Sequence, residues 1–129
     1  MPKKLMSPDV ARLATDSGEL AAIRGQTDAT GERLVALDLA FASGTLRLRC
    51  DGDTDEVLVE VADEPGSYPP LRNDALDGLL GMTIEYAWVM TNQRGYSDAF
   101  QLRLRDGRGR EEIRQFEVGA SAIDVRRIG

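Results

Sequence analysis

The side chains of this 129-residue chain that could do chemistry are carboxylates, arginines and tyrosines, because the chain has no histidine and a single cysteine, Cys50. Ser-His-Asp and Cys-His catalysis, haem ligation by histidine and the usual zinc sites all need residues that are missing here. One cysteine also cannot form a disulfide within the chain. We therefore expect no cofactor, and any catalysis would have to use Asp, Glu, Tyr, Lys or Arg.

Carboxylate pairs can act as acid and base when burial or a neighbour shifts one of them. With 22 acidic residues, some pair will always look suitable. Asp38, Glu85 and Asp98 lie in or beside predicted strands, where pairing with strand arginines such as Arg47 and Arg103 explains them more simply. We assign no catalytic residue from the sequence.

The acidic run at 51–56 resembles the start of a calcium-binding loop, which uses oxygen ligands at alternating positions. The rest of that pattern is missing. The sixth position is Glu56, where the loop needs glycine, and the twelfth is Ala62, where a bidentate glutamate belongs. The run is more typical of a solvated hairpin loop, so no metal site is predicted.

The most distinctive segment holds the only tryptophan and a polar run between two alternating apolar stretches. Protein interfaces are enriched in tyrosine and arginine, and Gly95 allows a backbone that could display such side chains. The alternative is an ordinary hairpin whose Asn and Asp satisfy their own backbone. The candidate partner-binding residues are Trp88, Asn92, Gln93, Arg94, Tyr96 and Asp98.

Hydrophobic alternation predicts the elements that position this segment. Residues 35–41, 46–50 and 57–61 form a first meander, preceded by a possible strand at 20–24. In its second hairpin, one register places Leu48 opposite Val59 and Arg47 opposite Glu60, with Cys50 on the buried side. A short helix starts at Pro8, and Asn73 or Asp74 starts a second one before Gly81.

The second half repeats this organisation after the prolines at 65–70, which mark a connection between two halves. Residues 84–90, 100–104, 113–118 and 123–127 read as strands. Pairing Trp88 with Phe100 predicts an aromatic pair in the core, and Ile113 then needs a bulge. The predicted fold is a single α+β domain over 1–129: one twisted antiparallel sheet of about six to seven strands in two meanders, with one or two short helices.

The charge balance is acidic, with 16 basic and 22 acidic residues and a net charge of -6. This charge repels nucleic acid, and the arginine-rich 103–127 stretch is only weakly positive. No apolar run approaches the ~20 residues that span a bilayer. The amino-terminal residues meet proline and aspartate where a signal peptide needs an apolar stretch, which favours a cytoplasmic location.

The segment W-V-M-T-N-Q-x-G-Y-x-D-x-x-Q, preceded by Leu79-Leu80-Gly81, resembles a small bacterial family known only as a domain of unknown function. The resemblance covers roughly the second half of the chain. It implies a compact bacterial cytoplasmic domain and carries no assigned catalytic residue.

We expect a non-catalytic protein-binding domain, similar to immunity or adaptor proteins, which recognises a protein partner through the 92–98 hairpin loop. This expectation rests on size, charge and the composition of that loop. The alternative is a small-molecule-binding domain or a histidine-free hydrolase that uses Asp or Glu with Tyr96. A deep cavity lined by Tyr86 and Trp88 would favour the alternative, and a flat exposed patch would favour a protein partner.

Overall fold

Two four-stranded antiparallel sheets form the fold, and each sheet is a simple meander. The computed structural model describes residues 8–51, 53, 55–64, 66–91, 97–119 and 122–128. In chain order the elements are α1 (Pro8–Thr15), β1 (Leu20–Thr27), β2 (Leu34–Phe41), β3 (Gly44–Asp51), β4 (Glu56–Ala62), a 3-10 turn (Asp74–Leu76), β5 (Thr83–Thr91), β6 (Ser97–Arg105), β7 (Glu111–Gly119) and β8 (Ala122–Ile128). Sheet 1 contains β1 to β4, and sheet 2 contains β5 to β8.

This architecture corrects the predicted single sheet of the α+β class. The described residues are mostly β-structure, with one short α-helix and one 3-10 turn. The connection between β4 and β5 carries the chain from one sheet to the other, so the two meanders do not join edge to edge. Neither described helix has the length and apolar character that a membrane-spanning helix requires.

A single hydrophobic core lies between the two sheets. Sheet 1 contributes Leu37, Leu39, Leu46 and Leu48, and sheet 2 contributes Phe100, Leu102 and Phe116, all of them fully buried. The rings of Phe100 and Phe116 are 6.3 Å apart and tilted by 38°, within the range of favourable aromatic pairs. Helix α1 adds Val10 and Leu13 to the same core.

The predicted pairing of β3 with β4 is confirmed. Its pairs are Leu46–Val61, Leu48–Val59, Cys50–Val57 and Arg47–Glu60. The strict alternation of these strands fixes the register, because a slip by one residue would turn every buried side chain to the opposite face.

The predicted pairing of β5 with β6 is wrong by one residue. Trp88 lies opposite Gln101, and Val89 is the residue that faces Phe100. The register shifts between Ile84 and Tyr86, as in a β-bulge, so the strand changes face after Ile84. Ile84 is therefore buried, whereas the tryptophan is on the surface.

The predicted bulge near Ile113 is also wrong. Strands β6 and β7 pair without a register shift, and Phe116 lies opposite Phe100. The inward position next to Phe116 is taken by Arg114, which is only 1% exposed. An arginine in this position hid the regular alternation of the strand.

The predicted second helix is only the 3-10 turn. Asn73 caps it as expected, because its side-chain oxygen accepts a hydrogen bond from the backbone N–H of Ala75 at 2.9 Å. Gly78 and Gly81 then take positive φ angles of 82° and 86°, which end any helical run. Leu80 is exposed as a result.

Candidate functional site

Three large apolar side chains form an exposed stripe along the outer face of β5. Tyr86 is 59% exposed, Trp88 is 38% exposed and Met90 is 36% exposed. They alternate with Ala87 and Val89, which point toward the core. We call Tyr86, Trp88 and Met90 the apolar stripe. It runs toward the β5–β6 connection and lies on an edge strand of sheet 2.

A polar belt borders the apolar stripe on the rest of this outer face. Gln101, which lies opposite Trp88, donates to the side chain of Gln115 at 2.9 Å. Gln115 in turn donates to the carboxylate of Glu117, which forms an ion pair with Arg126 at 3.1 Å. An apolar centre with a hydrogen-bonded polar rim is the usual anatomy of a protein interface.

The outer face of sheet 1 is different, because the chain between β4 and the 3-10 turn folds over it. Gly66 donates its N–H to the carboxylate of Asp38 at 2.8 Å, and the ring of Tyr68 lies 5.8 Å from the guanidinium of Arg47. The same connection forms backbone hydrogen bonds with β1, including Gly25 N–H to the carbonyl of Pro69 at 3.0 Å. Sheet 1 therefore has a covered outer face at this point.

Under that cover lies a buried ion pair. Asp38 is fully buried and accepts two hydrogen bonds from Arg47, at 2.7 Å from Nε and 3.0 Å from Nη2. The carboxylate raises the pKa of the Arg47 guanidinium above its ordinary value. A Cβ atom on Gly66 would lie 2.8 Å from Arg47 Nη2 and 3.0 Å from Asp38 Oδ2, so any larger residue would have to displace the ion pair. The predicted pairing of Asp38 with a strand arginine is confirmed.

Three arginines, two on strands of sheet 2 and one just before β7, hold the 74–78 segment through its carbonyl groups. Arg114 donates to the carbonyl of Ala75 at 2.5 Å, and its Nη2 lies 3.4 Å from the carbonyl of Asp77. Arg127 and Arg110 donate to the carbonyls of residues 74 and 78. Arg114 and Arg127 lie directly opposite each other, a like-charge arrangement that these carbonyl dipoles offset. Much of the arginine-rich stretch therefore has an internal structural role.

An open groove of about 570 Å³ lies where α1 meets β5. The helix lines it with the small residues Ala11, Ala14 and Thr15, and the strand side supplies residues 84–87 together with Arg105. Glu85 Oε2 is buried there without a hydrogen-bond partner among the described residues. The groove is shallow, and Tyr86 stands at its rim rather than inside an enclosed cavity.

A family model for a family of unknown function, DUF6334, matches residues 6–129. The chain belongs to the DUF6334 family. The match confirms the suspected kind of family and extends over both halves of the chain, not only the second. No match was found among curated proteins or among solved structures.

The structure of this DUF6334 domain places one predicted contact residue, Trp88, on the surface. The sequence prediction had put it in the core beneath the site, and the bulge after Ile84 explains the difference. Asn92, Gln93, Arg94 and Tyr96 lie outside the described residues. Asp98 belongs to β6, but its side chain is outside the described set. Tyr86 and Met90 share the parity of Trp88 and lie on the surface with it.

The other candidate groups of the DUF6334 domain stay apart. The carboxylate of Asp51 accepts a hydrogen bond from the N–H of Asp53 at 3.0 Å, the pattern of an Asx turn. Among the described residues, no three acidic or cysteine side chains come together as metal ligands would. Cys50 is half-buried, and burial raises the pKa of its thiol, so the reactive thiolate is disfavoured.

Proposed function

We propose that this DUF6334 domain is a non-catalytic protein-binding domain, immunity- or adaptor-like, that acts in the bacterial cytoplasm. It binds its partner through the apolar stripe together with the 92–98 segment that follows it. The lone cysteine fits a reducing compartment, where structural disulfides are rare.

The observation that carries this proposal is the exposure of Tyr86 and Trp88 on a sheet face that no described segment covers. An aromatic side chain can bury about 150–250 Å² when a partner covers it. The residues that contribute most of the binding energy of protein interfaces are enriched in Trp and Tyr. The chain covers the outer face of sheet 1 with its own connection, but it leaves this stripe in solvent. A partner surface that covers the stripe would bury three large apolar groups at once.

The partner we propose carries a basic rim. The net charge of -6 attracts a cationic protein and speeds its encounter at low ionic strength. Arg103 and Arg126 next to the stripe are already engaged, at 3.7 Å from Glu111 and 3.1 Å from Glu117. The local face is thus close to neutral, so apolar contacts provide affinity and the overall charge provides steering.

One observation supports the alternative function, a small-molecule-binding domain or a histidine-free hydrolase. Glu85 and Tyr86 line the same open groove, and the carboxylate has an unpartnered oxygen. A small molecule with a hydrogen-bond donor would satisfy that oxygen. We favour the protein partner because a small-molecule site normally encloses most of its ligand, whereas this groove is shallow.

Affinity capture with the purified domain as bait tests the proposal. Trp88→Ala and Tyr86→Ala should each lose a partner that the wild-type domain retains, and Arg94→Ala or Tyr96→Ala should weaken its capture. The matched control is Leu58→Ala, which truncates a side chain of similar exposure, 40%, on sheet 1. Equal recovery of the partner with the wild type and all four stripe and loop variants would remove both the stripe and the loop as the binding site.

A further inference from the structure

The four edge strands of the two sheets are protected to very different degrees. A sheet edge presents unpaired N–H and C=O groups, and proteins usually block it with charges or with covering chain. The β1 edge is covered, since Gly25 and Ile23 form backbone hydrogen bonds with Pro69 and Leu71. Strand β4 carries Glu56 and Glu60, and β8 carries three charged residues at 124, 126 and 127.

Helix α1 flanks residues 84–87 of β5 across an open groove, and the rest of the β5 edge is covered by no described segment. The start of the β5 edge is closed, because the buried hydroxyl of Ser17 accepts the N–H of Ile84 at 3.1 Å. Beyond Glu85, the residues Tyr86–Met90 contain no charge, and no described segment pairs with their free edge. This stretch also lies between the two register shifts of β5, so it is regular in its pairing with β6.

We propose that the Tyr86–Met90 edge pairs with the same edge of a second copy of this chain. An antiparallel arrangement about a two-fold axis at Trp88 would place Tyr86 opposite Met90 of the other copy and Ala87 opposite its Val89. Trp88 would then lie beside its own counterpart. Closed two-fold dimers are the commonest protein oligomers, and they need a self-complementary surface of this kind.

The residues of the Tyr86–Met90 edge favour a second copy of this chain as its binding partner. In this register every pair is apolar, so no like charges lie opposite each other despite the net charge of -6. Aromatic–aromatic and sulfur–aromatic contacts fall on the outer face, and the small Ala87 meets Val89 on the inner face. The groove beside α1 leaves room next to residues 84–87 for the end of the second strand.

The dimer goes beyond the proposed partner binding and does not depend on it. Strand pairing uses backbone groups of the edge, and the apolar stripe would still face solvent on the outer side. Two stripes would join into one continuous apolar surface. Because only five residues of each copy pair, the association should be weak and depend on protein concentration.

Sedimentation of the purified full chain tests the pairing. The wild-type protein should shift from monomer to dimer as its concentration rises. Trp88→Lys and Trp88→Glu should each weaken dimerisation about tenfold or more, because like charges would then oppose each other across the axis. A mixture of the two variants should form a heterodimer. Ile128→Lys, with a similarly exposed residue on β8, should dimerise like the wild type.

Cross-linking gives a second readout that does not need charged substitutions. Directly opposed residues in antiparallel strands have Cα atoms about 4.5–5.5 Å apart, a distance that a disulfide can bridge. In a Cys50→Ser background, Trp88→Cys should form a covalent dimer on mild oxidation, whereas Ile128→Cys should not. A wild-type protein that stays monomeric up to about 1 mM would overturn the proposal and leave this edge to a strand from another protein. Equal cross-linking at both positions would also overturn it.

Discussion

Removing the arginine of the buried Asp38–Arg47 pair should destabilise the protein far more than neutralising its carboxylate. Among the described residues, the fully buried Asp38 accepts three hydrogen bonds, and in Arg47→Met it keeps only the one from the Gly66 N–H, at 2.8 Å. Leaving a buried charge without its partner costs about 3–5 kcal/mol of folding free energy. We expect a loss of stability in that range at neutral pH.

Neutralising the carboxylate instead, in Asp38→Asn, should destabilise the protein less. In Asp38→Asn the Arg47 side chain, which is 20% exposed, can still reach water and the Tyr68 ring. The amide oxygen can also still accept from Gly66. The expected loss is about 1–3 kcal/mol, the range for an imperfectly satisfied buried polar group. Adding Asp38→Asn to Arg47→Met should therefore recover stability, because it removes the unpaired charge.

Urea unfolding followed by circular dichroism gives the free energies of unfolding for this cycle. The control is Arg49→Met on the same strand, whose ion pair with Glu60 at 2.9 Å is about half exposed, so the loss should stay below about 1 kcal/mol. If Asp38→Asn destabilised the Arg47→Met protein further, the reasoning about an unpaired buried carboxylate would be refuted.

Three further outcomes follow from the same structure. Arg114→Met should lower stability by about 3 kcal/mol in urea unfolding, because it removes the donors to the Ala75 and Asp77 carbonyls and the partner of Glu112. Arg126→Met, whose side chain is 59% exposed, should change stability by less than about 1 kcal/mol. Phe100→Ala should cost about 3–5 kcal/mol as a core truncation; a loss below 1 kcal/mol would contradict the shared core. Burial raises the pKa of Cys50 above its ordinary value of 9.0, so its stabilising contribution is complete below 9.0 and is lost as the pH rises through the raised value. Its thiol should accordingly react more slowly with a thiol reagent in the folded protein than in urea, and equal rates would contradict the assigned burial.

The strands were predictable where alternation was strict. In β3 and β4 the charged residues fall on one parity and the large apolar residues on the other, apart from the exposed Leu58, so only one register buries Leu48 and Val59 together. In β5 both parities are apolar, and the sequence gives no sign of the shift after Ile84. Trp88 was therefore assigned to the wrong face.

The arrangement of the strands into sheets was less accessible. Alternation shows which side chains point inward, but it does not show which strands become edges, so two meanders could equally form one sheet or two. Arg114 was missed for a related reason. Arg114 lies on the same side of β7 as the buried Phe116 and Val118. This shared parity was the sequence feature that could have predicted an inward-pointing arginine. Besides its neighbours Glu112 and Ile113, it donates to carbonyl groups nearly 40 positions away, at Ala75 and Asp77, and no local pattern shows those distant partners.

Fluorescence quenching of the single tryptophan tests the central claim most directly, because Trp88 is the only indole in the chain. If the apolar stripe lies on the outer face of β5, acrylamide should quench the folded protein readily, with an efficiency below that in urea because Trp88 is 38% exposed. Phe100→Ala, made in the core, should leave that efficiency unchanged as long as the protein is folded. A strongly shielded, blue-shifted indole in the free protein would contradict the surface position of Trp88 and with it the proposed binding face.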